Sequence, residues 1–216
     1  MPAPLVTAAE ANARRLEATA QTLQKDYGLA FAGTDFSLAP FPGEAYSIGG
    51  ALESLSGTTL GAAGTLTSAA VVADALQRAE FRHAGFCGVM MPVLEDSVLA
   101  QRAAEGWLNL GELLQWSAVC GTGLDTVPLP GTASEEALRS VLFDVGALSA
   151  RLAKPLTARL MPLLGKSAGD PVHFDFPYFA DGGVLALDGE PAHSLLLETE
   201  RLPLHARRGP RTPSGA

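Results

Sequence analysis

Cysteine is scarce: the 216-residue chain holds only Cys87 and Cys120, both in apolar stretches. Two thiols cannot build a disulfide framework, so reduced cysteines in a cytoplasmic protein are the expectation. Basic charge is short as well, with 15 Lys+Arg against 23 Asp+Glu and a net charge of −8. That balance argues against a nucleic-acid backbone or an anionic membrane surface as the main partner. The opening Met-Pro-Ala-Pro lacks a basic segment followed by an apolar run, so no signal peptide is expected. The longest uncharged stretch, Ser54 to Ala73, is long enough for a bilayer but too rich in Ser, Thr and Gly for hydrocarbon. It reads instead as a glycine-interrupted pair of buried helices. His83, His173, His193 and His205 never stand four apart and have no cysteine close by, so zinc is not expected. The 23 glycines show no fixed period, which excludes a fibre. What remains is a chain 47% apolar and 18% charged, long enough to bury a sizeable core.

Apolar residues recur at Ala9, Ala13, Leu16, Ala20 and Leu23, one face of a helix that opens on the Thr7–Glu10 capping box and ends at Tyr27-Gly28. A short strand is expected over Leu29 to Ala32, then helices around Ala51 and from Ala63 to Ala79. Gly85 to Leu94 is apolar without alternation, which suits a strand buried on both faces. It delivers Glu95-Asp96 to a helix through Val98, Leu99 and Ala103, and Leu110 to Leu114 belong to another. A third strand is expected at Ser117 to Cys120, ending in Gly121-Thr122-Gly123-Leu124-Asp125. The capping box Thr132–Glu135 precedes a helix lined by Leu138, Val141, Leu142, Val145, Leu148 and Leu152. A fourth strand spans Thr157 to Leu164, delivering Gly165-Lys166, and a short one is expected at Val184 to Leu187. This alternation is that of an α/β fold with parallel strands and crossover helices, a single domain over 1–206 with a disordered tail at 207–216.

In such folds, sites lie beyond the carboxyl ends of the strands. The expected strand ends carry Asp35, Ser37, Glu95, Asp96, Cys120, Asp125 and Lys166. Cys120, Asp125 and Asp35 are the candidates for catalysis. Ser37, Arg159, Lys166, Gly121 and Gly123 are the candidates for ligand binding. Glu95 and Asp96 are the candidate pair for a divalent cation. Each has a plainer reading beside it. Acids favour helix N-termini in general, free cysteine fills cores, and an aspartate after a glycine pair organises its own turn. Arg159, inside the apolar strand Leu156–Met161, needs either an acidic partner or an anionic ligand. The cluster Phe174-Asp175-Phe176-Pro177-Tyr178-Phe179 covers a hydrophobic edge or forms a lid.

Two motif matches fail on spacing. Gly165-Lys166-Ser167 would end a phosphate loop only with a glycine at position 160, which is Leu160. Gly165-Lys166-Ser167-Ala168-Gly169 resembles a nucleophile elbow, with His193 downstream as a base, but Gly169-Asp170-Pro171 breaks the helix that motif requires.

Three segments carry a family resemblance: Asp35-Phe36-Ser37-Leu38-Ala39-Pro40, Met91-Pro92-Val93-Leu94-Glu95-Asp96 and Cys120-Gly121-Thr122-Gly123-Leu124-Asp125. Lys154–Pro162 and Phe174–Phe179 extend it. The sequence resembles the domain-of-unknown-function family seven hundred and eleven, also called uncharacterised protein family two hundred and ten. The resemblance implies a pyruvate formate-lyase-like fold, a ten-stranded α/β barrel of two five-stranded halves. It implies no established activity. Members are substantially longer, and the strands countable here make about half a barrel, its C-terminal part. No Arg-Val-x-Gly-Tyr-like segment carries a radical glycine, so the resemblance gives Cys120 no thiyl role. Three readings follow. The first is a small-molecule enzyme, or a remnant of one, with carboxylates, Arg159 and Cys120 in one pocket. The second is a non-catalytic scaffold, a homo-oligomer or an assembly half completed by a partner chain. The third is a fragment without independent activity.

Overall fold

In the computed structural model, residues 3–187, 189 and 203–206 are described. The expected tail at 207–216, and His193, lie outside them. The first helix, α1 (Ala3–Tyr27), begins four residues before the Thr7 capping box and ends on Gly28, whose φ of +68 suits a residue without a Cβ. Only Ala9 and Ala13 of its apolar stripe are buried. Ala9 joins a small core with Leu76 and Ala79, flanked by Val6, Phe36 and Phe81. Leu16 and Leu23 stand about half exposed.

The uncharged stretch Ser54–Ala73 holds one buried helix rather than two, since it takes in only the last turn of the first helix, a glycine-rich loop and most of the second. The first is α2 (Ile48–Ser56), capped by Ser47, and the second is α3 (Thr65–Arg78), entered through Gly64. Next come α4 (Ser97–Ala104), capped by Asp96, and α5 (Leu110–Trp116), capped by an Asn109–Glu112 box. Then β1 (Gly123–Pro130) runs to α6 (Glu135–Leu152), whose cap is Ser134 rather than Thr132. The crossover returns the chain to β2 (Thr157–Leu163), which pairs with β1 in parallel. The short strands β3 (Pro171–Val172) and β4 (Gly182–Gly183) form an antiparallel pair. The main core joins Leu52, Val89, Val93, Leu99, Trp116, Leu124, Val127 and Val145.

The chain is therefore mixed α/β with a parallel pair and a crossover helix, and no barrel closes among the described residues. Three expected strands are corrected. Leu29 to Ala32 forms no strand pair among the described residues, and the chain makes isolated parallel bridges only later, at Thr34–His83 and Leu38–Val89. Gly85 to Leu94 buries Val89, Met91 and Val93 as expected, but Gly85 and Cys87 take φ of +62 and +48 and interrupt any ladder. Ser117 to Cys120 is the closing turn of α5, with Ser117 and Cys120 amides donating to Leu113 and Trp116 carbonyls. The last shift matters most. It makes Gly121–Asp125 the entrance to a strand rather than its exit. No helix among the described residues is long and apolar enough to cross a membrane.

Candidate functional site

The register of β1 against β2 slips by one residue. Leu124 faces Ala158 and Val127 faces Leu160, so Asp125 and Thr126 together stand opposite Arg159. This is a β-bulge, a device that re-aims side chains. Thr126 adopts a φ of +45 while 1% exposed. A β-branched residue rarely enters that region, where the local cost is about 1–3 kcal/mol. Its hydroxyl accepts the Leu94 amide at 3.1 Å, and the Asp125 carbonyl accepts the Val93 amide at 2.9 Å. The bulge thus holds the 93–95 segment and delivers Glu95.

Three sequence-distant residues meet there. Arg159 Nε donates to Asp125 Oδ1, and its Nη2 donates to Glu95 Oε1 at 2.7 Å. Asp125 is buried, Glu95 is 28% exposed and Arg159 is 52% exposed. The guanidinium is held above its ordinary pKa, first by the Asp125 bond and then by Glu95. Two carboxylates on one guanidinium leave a single negative charge in excess.

The other candidates do not join this group. Asp96 is fully buried and turned away from Glu95. Its Oδ1 accepts from Ser47 Oγ and the Val98 and Leu99 amides, and its Oδ2 from the Gly49 amide. It caps α4 and also meets the N-terminus of α2, where a negative charge is favoured. The expected Glu95–Asp96 cation pair is thereby corrected: one carboxylate serves Arg159 and the other serves two helices. Among the described residues no group of three or more His, Cys, Asp or Glu is arranged to hold a metal ion.

Asp35 accepts from Ser37 Oγ at 2.6 Å and from the amides of Ser37, Phe86 and Cys87. Those donors, the Ser37 hydroxyl foremost, lower its pKa to about 2. Asp35 and Ser37 therefore tie two loops together, with the carboxylate already occupied. Cys120 is 1% exposed in the main core, which corrects its expected place in a pocket. Lys154 lies over its carbonyl and those of Ser117 and Ala118, and burial pushes the ammonium's pKa down. Gly121 lies under the Phe86 ring, and Gly123, at φ +99, lets β1 approach the Thr157 backbone, so both act in packing. Lys166 follows β2, its Nζ donating to the Pro171 carbonyl at 2.8 Å.

The expected gathering at the strands' carboxyl ends is corrected too. Asp125 and Arg159 are each the third residue of their strand, because β1 starts at Gly123 rather than ending at Cys120. Sequence reading missed the role of Thr126, which has no local signal. It also missed the Glu53–Arg102 pair, 2.7 Å apart, which ties α2 to α4. His173 and Asp181, 2.6 Å apart, went unread as well; their signal is that they bracket the Phe174–Phe179 loop.

Residues 4–180 match the family described as Uncharacterised ACR (DUF711). The chain belongs to that family. Glu95, Asp125 and Arg159 all fall within the matched segment. The UPF0210 protein of Pyrobaculum aerophilum is 34% identical over 201 residues, covering 91% of this chain and 43% of its own length. That of Pyrobaculum arsenaticum is 35% identical over 201 residues with the same coverage, 91% and 43%. That of Syntrophobacter fumaroxidans is 35% identical over 151 residues, 68% of this chain and 33% of its own. The chain thus spans less than half the length of these curated relatives. No solved structure matches it.

Proposed function

We propose that the bulge cluster is the working centre of a small-molecule enzyme, with Glu95 as its acid/base group. One observation carries this: a half-exposed guanidinium on a bulged strand holds a buried carboxylate and a more accessible one from separate segments. Asp125 and Arg159 are then positioning residues, fixing the Glu95 carboxylate where a substrate proton can reach it. The excess negative charge revises the expected ligand. Arg159 is neutralised twice over, so an uncharged polar or cationic substrate, or a divalent cation at Glu95, fits better than an anion. In this reading the parallel pair is part of a ten-stranded pyruvate formate-lyase-like barrel, of which the chain supplies about half, in the cytoplasm. The greater length of the relatives and the unpaired thiols of Cys87 and Cys120 support it.

The test is a thermal-stability screen of the wild type against magnesium, calcium, small polyols, amines and carboxylates, since a ligand of the native state raises its stability. Glu95→Gln is expected to abolish the shift given by a cation, an amine or a polyol. No shift with any cation, amine or polyol, or such a shift that survives Glu95→Gln, would sink the acid/base reading.

The open edge of β2 favours a second reading, a scaffold or assembly half. Among the described residues β2 pairs only with β1, and none of its residues is fully buried. Such an edge is a template for another strand, from a second copy or a partner chain. Light scattering separates the two: a stable monomer at tens of micromolar would count against the assembly.

A further inference from the structure

The structure's second concentration of chemistry lies past the carboxyl end of β2, away from the bulge. There a cavity of about 550 Å³ is lined by Leu163, Lys166, Val172, His173, Phe174 and Asp181, among others. Its walls are made by the β3–β4 pair. Val172 pairs with Gly182, so the next residues outward, His173 and Asp181, stand side by side. His173 Nδ1 and Asp181 Oδ1 are 2.6 Å apart. A carboxylate at Nδ1 sets the imidazole's orientation and leaves Nε2 for a further partner.

The hairpin is seated firmly. A Cβ on Gly183 would come within 2.6 Å of the Ala104 backbone, so the pair lies directly on α4. Val172 packs with Leu94 and Val184, and Leu163 and Phe174 pack against that group, giving the cavity an apolar floor. Beside the pair Lys166 is held twice, its carbonyl accepting the Gly131 amide and its Nζ donating to the carbonyl of Pro171, which opens β3. One ammonium hydrogen is used in that bond, and two remain. A cross-strand His–Asp pair alone would be a surface feature, since His173 and Asp181 are 75% and 77% exposed. What distinguishes this pair is that it shares a cavity with an anchored ammonium and an apolar floor.

We propose that this cavity is a binding site for a small organic anion with an apolar body, a carboxylate or a phosphate ester. Lys166 Nζ takes the anionic group, His173 Nε2 meets the ligand's polar end, and Leu163, Val172 and Phe174 receive its apolar part. Asp181 is a positioning residue that orients His173. The arrangement suits the common plan of an apolar pocket with a few placed polar groups.

The test uses phenylacetate and phenyl phosphate as probes, with benzyl alcohol as the uncharged control, followed by NMR at the His173 ring. Both anions are expected to shift that ring saturably and benzyl alcohol to bind at least about tenfold more weakly. Whichever anion binds tighter names the class. Lys166→Gln is expected to weaken the anions about tenfold, while Lys166→Arg, which keeps the charge and the bond to Pro171, stays within about threefold of wild type. Near-ultraviolet circular dichroism separates a lost site from a lost fold, and the Arg variant keeps the test decisive if the Gln variant unfolds. Equal affinity for benzyl alcohol and phenylacetate, or undiminished anion binding in a folded Lys166→Gln, would overturn the proposal.

Discussion

Replacing Asp96 tests the reassignment of a candidate cation ligand to a structural role. The carboxylate is fully buried and receives four donors, at 2.7 Å from Ser47 Oγ, 2.9 Å from Val98, 3.0 Å from Leu99 and 3.1 Å from Gly49. Asp96→Ala removes the N-cap of α4, worth about 1 kcal/mol. It also strands the Gly49 amide and the Ser47 hydroxyl, each losing a bond to a charged acceptor worth about 1.5–3 kcal/mol. Allowing for overlap between these losses, the expected destabilisation is about 4 kcal/mol. Asp96→Asn keeps Oδ1 and its three donors but turns an NH2 toward Gly49, for about 2 kcal/mol. Urea unfolding at neutral pH, followed by circular dichroism, reads both variants, with an unchanged denaturant slope showing that the transition remains comparable. A loss below about 1 kcal/mol in Asp96→Ala would refute the reasoning. So would a calcium- or magnesium-dependent stabilisation of the wild type that Asp96→Asn abolishes.

Other outcomes follow from the same geometry. Ala153, the exposed cap residue of α6, sits at φ +51, so Ala153→Gly is expected to stabilise the protein by about 0.5–1 kcal/mol in the same unfolding assay. A Cβ on Gly121 would overlap the tip of the Phe86 ring, which is 41% exposed and free to turn away, so Gly121→Ala is expected to cost only about 1 kcal/mol, with most of it recovered by Phe86→Ala in a double-mutant cycle. Asp35 has its pKa lowered from 3.8 to about 2, so its contribution is present above about pH 4 and is lost as pH falls through about 2. Because Asp35 is exposed, screening holds that contribution below about 1 kcal/mol. Acid titration of stability is therefore expected to be slightly steeper in wild type than in Asp35→Asn across that window.

Much of the helical framework was legible because its signals are local. The stripe from Leu138 to Leu148 acts through neighbours three or four residues away, and the structure keeps it as a face of α6, whereas both expected capping boxes shift, α1 starting at Ala3 and α6 being capped by Ser134. The strand between Thr157 and Leu163 was legible from its apolar run and flanking prolines and glycines. The segment before Gly121 was not. Cysteine and valine at 119–120 suit a strand by composition, but the Asn109–Glu112 cap starts a helix whose last turn reaches Cys120. Local propensity yielded there to a cap eight residues upstream of the misread stretch.

The site divides the same way. Arg159 in an apolar strand announced by itself a need for either an acidic partner or an anionic ligand, and the structure answers with carboxylates on a half-exposed guanidinium. The sequence alone thus determined that Arg159 would meet negative charge, together with the acidic character of the chain and the apolar stripe of α6. Which carboxylates answered was a tertiary decision. The one-residue bulge at Asp125–Thr126 turns Asp125 toward Arg159 and pins Leu94 so that Glu95 follows, while two helix ends claim Asp96. Adjacent residues in the chain are parted in this way, and residues 64 apart are joined. Hydrogen-bond demand is written into residue types, but the partner that satisfies it is chosen by register and packing.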